Sequence, residues 1–88
     1  MVRLMVRLRK GAAQIRFEIL EYLFYDVKPQ LPTHIWRKAT SLSYDDFLKH
    51  LSYLNEKGLV KETDGHYKLT SEGRKIYVEL RDSLPSIL

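Results

Sequence analysis

The sequence contains no cysteine. That excludes disulfides, thiolate nucleophiles and cysteine-ligated zinc, and it fits a reducing compartment. Long apolar runs are missing too, with nothing near the roughly 20 residues of a membrane-spanning helix. The first ten residues interleave arginine with apolar side chains, so they lack the unbroken apolar centre of a secretion signal. The four glycines form no phosphate-cradling loop. His34, His50 and His66 stand 16 residues apart and share no metal-ligand spacing. Asp45 and Asp46 are adjacent on a helical pattern, where neighbouring side chains do not face each other, so they make a poor acid–base pair. These absences argue against an enzyme, and no cofactor is expected.

Acids are also missing from one stretch of the chain. Residues 1–16 carry Arg3, Arg7, Arg9, Lys10 and Arg16 and no carboxylate, a net +5. The other 72 residues hold 10 bases and 11 acids, a net −1, against +4 for the whole chain of 88. A basic arm on a nearly neutral body suggests a polyanionic partner; the plain alternative is a solvated leader. One domain of this size buries roughly 60–70% of its unfolded surface, so help from a second copy would be no surprise.

Periodicity then orders the elements. Met1–Leu4 is repeated as Met5–Leu8, and this segment is open between a short strand, a helical extension and an arm. From Ala12 to about Tyr25, Ile15, Ile19, Leu20, Leu23 and Phe24 share a helical face. Lys28-Pro29-Gln30-Leu31-Pro32 breaks the pattern. Thr33 is expected to cap a short helix over His34 to Ala39, with Ile35 and Ala39 inward. Thr40-Ser41-Leu42 reads as a turn. Ser43 caps a third helix, on which Tyr44, Phe47, Leu48, Leu51 and Leu54 make one stripe and Gly58 marks the end. Trp36 reads as core or interface.

Asp64-Gly65 supplies the two positive-φ positions of a tight hairpin turn. That predicts the pairs Thr63–His66, Glu62–Tyr67, Lys61–Lys68 and Val60–Leu69. Thr70 should cap a last helix through about Leu84, stopped by Pro85, with Ile76, Tyr77, Leu80 and Leu84 on one apolar arc. The fold class is therefore mainly α with a two-stranded β-hairpin wing, a winged helix–turn–helix. Residues 1–11 form the basic arm, 12–70 the winged domain, and 71–88 a C-terminal helix expected to pair two chains.

Several blocks also resemble a known family. They are Arg16-Phe17-Glu18-Ile19-Leu20-Glu21-Tyr22-Leu23, then Leu42-Ser43-Tyr44 and Lys57-Gly58-Leu59-Val60, then Gly65-His66-Tyr67-Lys68-Leu69-Thr70-Ser71-Glu72-Gly73-Arg74. In order and spacing they resemble the small archaeal winged-helix DNA-binding proteins of the ArnR-like group, some of which are chromatin-associated and carry a coiled-coil tail. The resemblance spans about residues 16–82. It implies DNA binding, transcriptional regulation or chromatin architecture, a homodimer joined through C-terminal helices, and Ser43 and Tyr44 as the start of the recognition helix. The stop at Pro85 departs from the long tail of the coiled-coil members.

The expected partner is double-stranded DNA, with the third helix in the major groove and the wing on the backbone. The expected contacts are Ser41, Ser43, Lys49, His50 and Tyr53 at that helix, Lys61, His66 and Lys68 on the wing, and Arg3, Arg7, Arg9 and Lys10 in the arm. Ile76, Tyr77, Leu80 and Leu84 are the expected dimer seam. A cytoplasmic, nucleoid-associated regulator is the reading. A nonspecific architectural protein and a protein-interaction module remain open beside it.

Overall fold

The computed structural model describes residues 11–87, with side chains through residue 83. The order is α1 (Ala12–Tyr25), α2 (Pro32–Ala39), α3 (Tyr44–Glu56), β1 (Val60–Thr63), β2 (His66–Leu69) and α4 (Ser71–Ile87). The basic segment with Arg3, Arg7, Arg9 and Lys10 lies outside the described residues.

Helix α1 is the hub: α2, α3, α4 and β2 all pack on it. Its Ile15, Ile19, Leu20 and Leu23 are buried together with Ile35, Phe47, Leu51, Leu54, Val60, Leu69 and Tyr77. Each such apolar side chain contributes about 1.5–3 kcal/mol by leaving water. The core thus draws on every element, which is how so short a chain closes a single fold.

Local chemistry sets the helix ends. The Ser43 hydroxyl accepts the Asp46 amide at 3.2 Å, and Asp45 and Asp46 sit in the first turn of α3, favourable against the helix dipole. At the other end Gly58 takes φ +77°. The Leu59 amide then reaches back to the Leu54 carbonyl at 2.9 Å, and the Gly58 amide to Asn55 at 3.1 Å. These two bonds satisfy carbonyls that the helix leaves open. Thr70 caps α4 as expected: its hydroxyl accepts the Gly73 amide at 3.0 Å and donates to the Gly58 carbonyl at 2.6 Å.

The hairpin has the expected register, Val60–Leu69, Lys61–Lys68, Glu62–Tyr67 and Thr63–His66. Asp64 at φ +54° and Gly65 at φ +82° make the turn. The Glu62 carboxylate accepts the Gly65 amide at 2.7 Å and braces it.

Four features differ from the sequence expectation. Helix α2 opens at Pro32, with no side-chain cap from Thr33. Proline at the first helical position has a suitable φ and lacks only an amide that would have no partner there. Second, the Lys28–Pro32 break contains a strand fragment. Gln30 pairs with Tyr67 of the wing through two backbone bonds of 2.8 and 2.7 Å, and the Tyr22 hydroxyl donates to its buried side-chain amide oxygen at 3.1 Å. Third, α4 continues through Pro85 to Ile87. The ring removes one donor, the amide that would bond the Arg81 carbonyl, and only the last half-turn lies beyond it.

The fourth difference concerns Tyr77, expected on the dimer seam. It is fully buried. Its ring stacks on Phe17 at 5.1 Å and lies 4.6 Å from Phe24, while its hydroxyl donates to Glu21 at 3.1 Å. Burial, with the hydrogen bonds of Tyr25 and Glu21, holds the phenol protonated far above the ordinary tyrosine range. The physical reason is geometric. Helix α1 covers the Tyr77 side of the apolar arc, so this residue serves the chain's own core. Leu80 on the same arc remains 41% exposed, and Ile76 is half-buried.

Candidate nucleic-acid interface

The side of α3 away from its buried stripe presents Lys49, Ser52 and Tyr53 to solvent, with Asp45 and Glu56 alongside. Ser41 and Ser43 stand exposed at the entrance to the helix. The turn before it is held from below. The Trp36 indole donates to the Leu42 carbonyl at 2.7 Å, and its ring meets Tyr44 edge-on at 5.1 Å. Thr40 donates to the Trp36 carbonyl at 2.9 Å. Trp36 thus fixes the angle between α2 and α3, which sets how far α3 projects.

On the wing, Lys61 and Lys68 are directly opposed and exposed. Neither forms an ion pair among the described residues. Directly opposed like charges cost a few tenths of a kcal/mol. At the turn, the half-buried His66 places its Nδ1 3.0 Å from the Asp64 carbonyl. His66 therefore helps to close the turn, and its ring orientation follows from that contact.

Two expected contact residues on α3 have a third partner that sequence reasoning missed. Arg16 of α1 donates its Nε to His50 Nδ1 at 3.2 Å. Its guanidinium carbon lies 3.6 Å over the Tyr53 ring, and Lys57 approaches the same ring at 5.5 Å. An arginine over an exposed tyrosine contributes about 0.5–1 kcal/mol. Because His50 accepts from Arg16, its Nδ1 is occupied by that bond and it is unprotonated there. Burial lowers its pKa below the ordinary value, the Arg16 charge adds to this, and Asp46 opposes it. His50 therefore acts first as an acceptor inside the protein. No local signal could have exposed this, since the two residues stand 34 apart in sequence.

The hydroxyl-bearing turn, α1 and α3 together enclose a groove of about 770 Å³, lined by Arg16, Ser41, Ser43, Lys49 and His50, with Glu18 and Asp46 on its walls. Among the described residues no group of three His, Asp or Glu could hold a metal ion. No described helix is long and apolar enough to cross a membrane.

Residues 9–85, which span the three-helix body, the hairpin wing and most of α4, match a family described as winged helix–turn–helix. The chain belongs to the winged helix–turn–helix family. This winged helix is similar to the crystal structure of AF1382 from Archaeoglobus fulgidus, with a TM-score of 0.71 at 17% identity, over 97% of this chain and 96% of that one. That likeness concerns the fold. No curated protein matches the sequence.

Proposed function

We propose that this winged helix binds double-stranded DNA as a homodimeric regulator of transcription. Helix α3 enters the major groove, where Lys49 and Tyr53 reach base edges or phosphates and Ser41 and Ser43 donate to the backbone at the helix entrance. The wing lies on the backbone through Lys61 and Lys68, with His66 at its turn. Arg3, Arg7, Arg9 and Lys10 supply the charge that draws a polyanion, and they reach an adjacent groove.

The observation that carries this reading is the exposed Lys61–Lys68 pair. Two lysines held face to face repel in the free protein, and a phosphate lying across them turns the repulsion into attraction. Membership of the winged helix–turn–helix family supports the same reading.

Pairing of two chains runs through α4. With Tyr77 withdrawn into the core, the seam is left to Leu80 and the flank of Ile76; the side chain of Leu84, also expected there, lies outside the described residues. The half-sites on DNA would then be spaced by the distance between two α3 helices.

Fluorescence anisotropy with labelled random-sequence duplex, at two salt concentrations, tests the reading. Binding that weakens steeply with salt is expected. No binding at low salt by folded protein overturns it and points to a protein partner. Competition with random DNA then separates a regulator from an architectural protein, since a regulator prefers its own site by about 10³ or more.

A further inference from the structure

Arg16 is held by two contacts, and neither is to a carboxylate. It lines the groove between α1 and α3 and makes no ion pair among the described residues. Its Nε is given to a histidine nitrogen and one face of its plane to a tyrosine ring. These two contacts fix the guanidinium in position and orientation. They leave its two terminal nitrogens, the fork that matches an oxyanion, without a protein acceptor among the described residues.

Such an arrangement is costly to build for packing alone. A methionine or leucine would cover Tyr53 without bringing a charge to a half-buried position. A flat, clamped guanidinium with an unused fork is instead ready to bind an anion, because the ordering of a long side chain has already been done. Which anion follows from where the clamp stands. Arg16 is on α1, beside the recognition helix, and its guanidinium lies against Tyr53 on the exposed side of that helix. A guanidinium on that flank of α3 is placed to meet the strand that borders a major groove occupied by α3.

We propose that Arg16 is a DNA-phosphate contact, clamped by His50 and Tyr53 so that its terminal nitrogens engage the backbone at the rim of the major groove. This rests on the DNA-binding reading above. His50 and Tyr53 then act as positioning residues. They hold the guanidinium in the plane in which both terminal nitrogens meet phosphate oxygens.

The test measures the salt dependence of duplex binding by anisotropy for the full-length protein and for Arg16→Ala, Arg16→Gln and Arg16→Lys. Circular dichroism establishes that each variant is folded, and Arg16→Gln keeps a long planar side chain should Arg16→Ala unfold. Loss of one phosphate contact lowers the log–log salt slope by about 0.9. Between 50 and 200 mM salt the wild type should therefore lose about 3.5-fold more affinity than the alanine and glutamine variants. Arg16→Lys should restore the wild-type slope, and the loss should be the same on every sequence. Tyr53→Ala should lower affinity less in Arg16→Ala than in the wild type, since part of its effect passes through the guanidinium that it holds. Wild-type binding with an unchanged slope in folded Arg16→Ala overturns the inference and leaves Arg16 a packing residue. Loss confined to particular sequences overturns it in favour of a base contact. Absence of wild-type binding overturns it together with the DNA reading.

Discussion

Replacing Gly73 by alanine should destabilise the fold, against the direction that helix propensity sets. In the first turn of a free helix, alanine is favoured over glycine by up to about 1 kcal/mol. Here Gly73 is buried where α4 crosses the chain between α3 and β1. A Cβ at this position would overlap the Leu59 carbonyl oxygen, with the Leu59 carbonyl carbon at 2.9 Å and Leu69 Cδ2 at 3.0 Å. The oxygen cannot yield freely, because it accepts the Thr70 amide at 3.1 Å. Overpacking costs about 1–3 kcal/mol, and weakening that bond adds about 1 kcal/mol. Against the propensity gain, the net loss is about 2 kcal/mol. For a domain of this size that lowers Tm by roughly 8–16 °C. Thermal and urea unfolding followed by circular dichroism would measure it. Gly11→Ala is the comparison: a Cβ there meets nothing within 4 Å, so only the N-cap preference for glycine over alanine is lost, and Tm should fall by less than in Gly73→Ala. An unchanged or raised Tm in Gly73→Ala would refute the close-approach argument.

Three further outcomes are expected. Replacing Lys61 and Lys68 together by alanine should lower the salt slope of DNA binding by up to about 1.8 and leave stability unchanged or a few tenths of a kcal/mol higher; unaltered binding would remove the wing from the interface. Leu80→Glu should convert a dimer to a monomer in size-exclusion chromatography with light scattering, and a dimer that persists would move the seam elsewhere. The pKa of His50 is lower in the folded chain than its ordinary 6.5, so the native state binds fewer protons there than the unfolded one. Its contribution to stability is therefore complete above that value and declines as the pH falls through the folded pKa. Urea midpoints between pH 8 and 5 should fall less steeply for His50→Gln than for the wild type; parallel curves would show that the imidazole is not linked to folding.

Much of this fold was written locally. Asp64-Gly65 admits few backbone conformations, so one turn fixed the whole hairpin register. Ser43 and Gly58 bounded α3 because each satisfies polar groups at its own end of the helix. What escaped was non-local or ambiguous by nature. A single residue such as Gln30 has no alternation from which a strand can be read, and its partner Tyr67 is far along the chain. The apolar arc of α4 was legible, but its division was not. A helical wheel ranks Tyr77 and Leu80 alike, and only the position of α1 decides that one is core and the other surface. In the candidate interface, the lysines and the exposed face of α3 followed from period and register. Arg16 did not, because its role depends on two residues that only the packing of α1 against α3 brings beneath it.

The bond between Gln30 and Tyr67 has a mechanical consequence. Tyr67 is the second residue of its strand counted from the turn, so the hairpin is strapped to the helical body close to its free end. Little more than the tip, from Thr63 to His66, lies beyond the strap. The hairpin therefore behaves less like a hinged flap than like the fixed jaw of a calliper, whose gap is set when the chain folds. A ligand that touches both jaws must bring the right width with it or bend to acquire it. Selectivity can then arise from the stiffness of the ligand as much as from any group displayed on its surface.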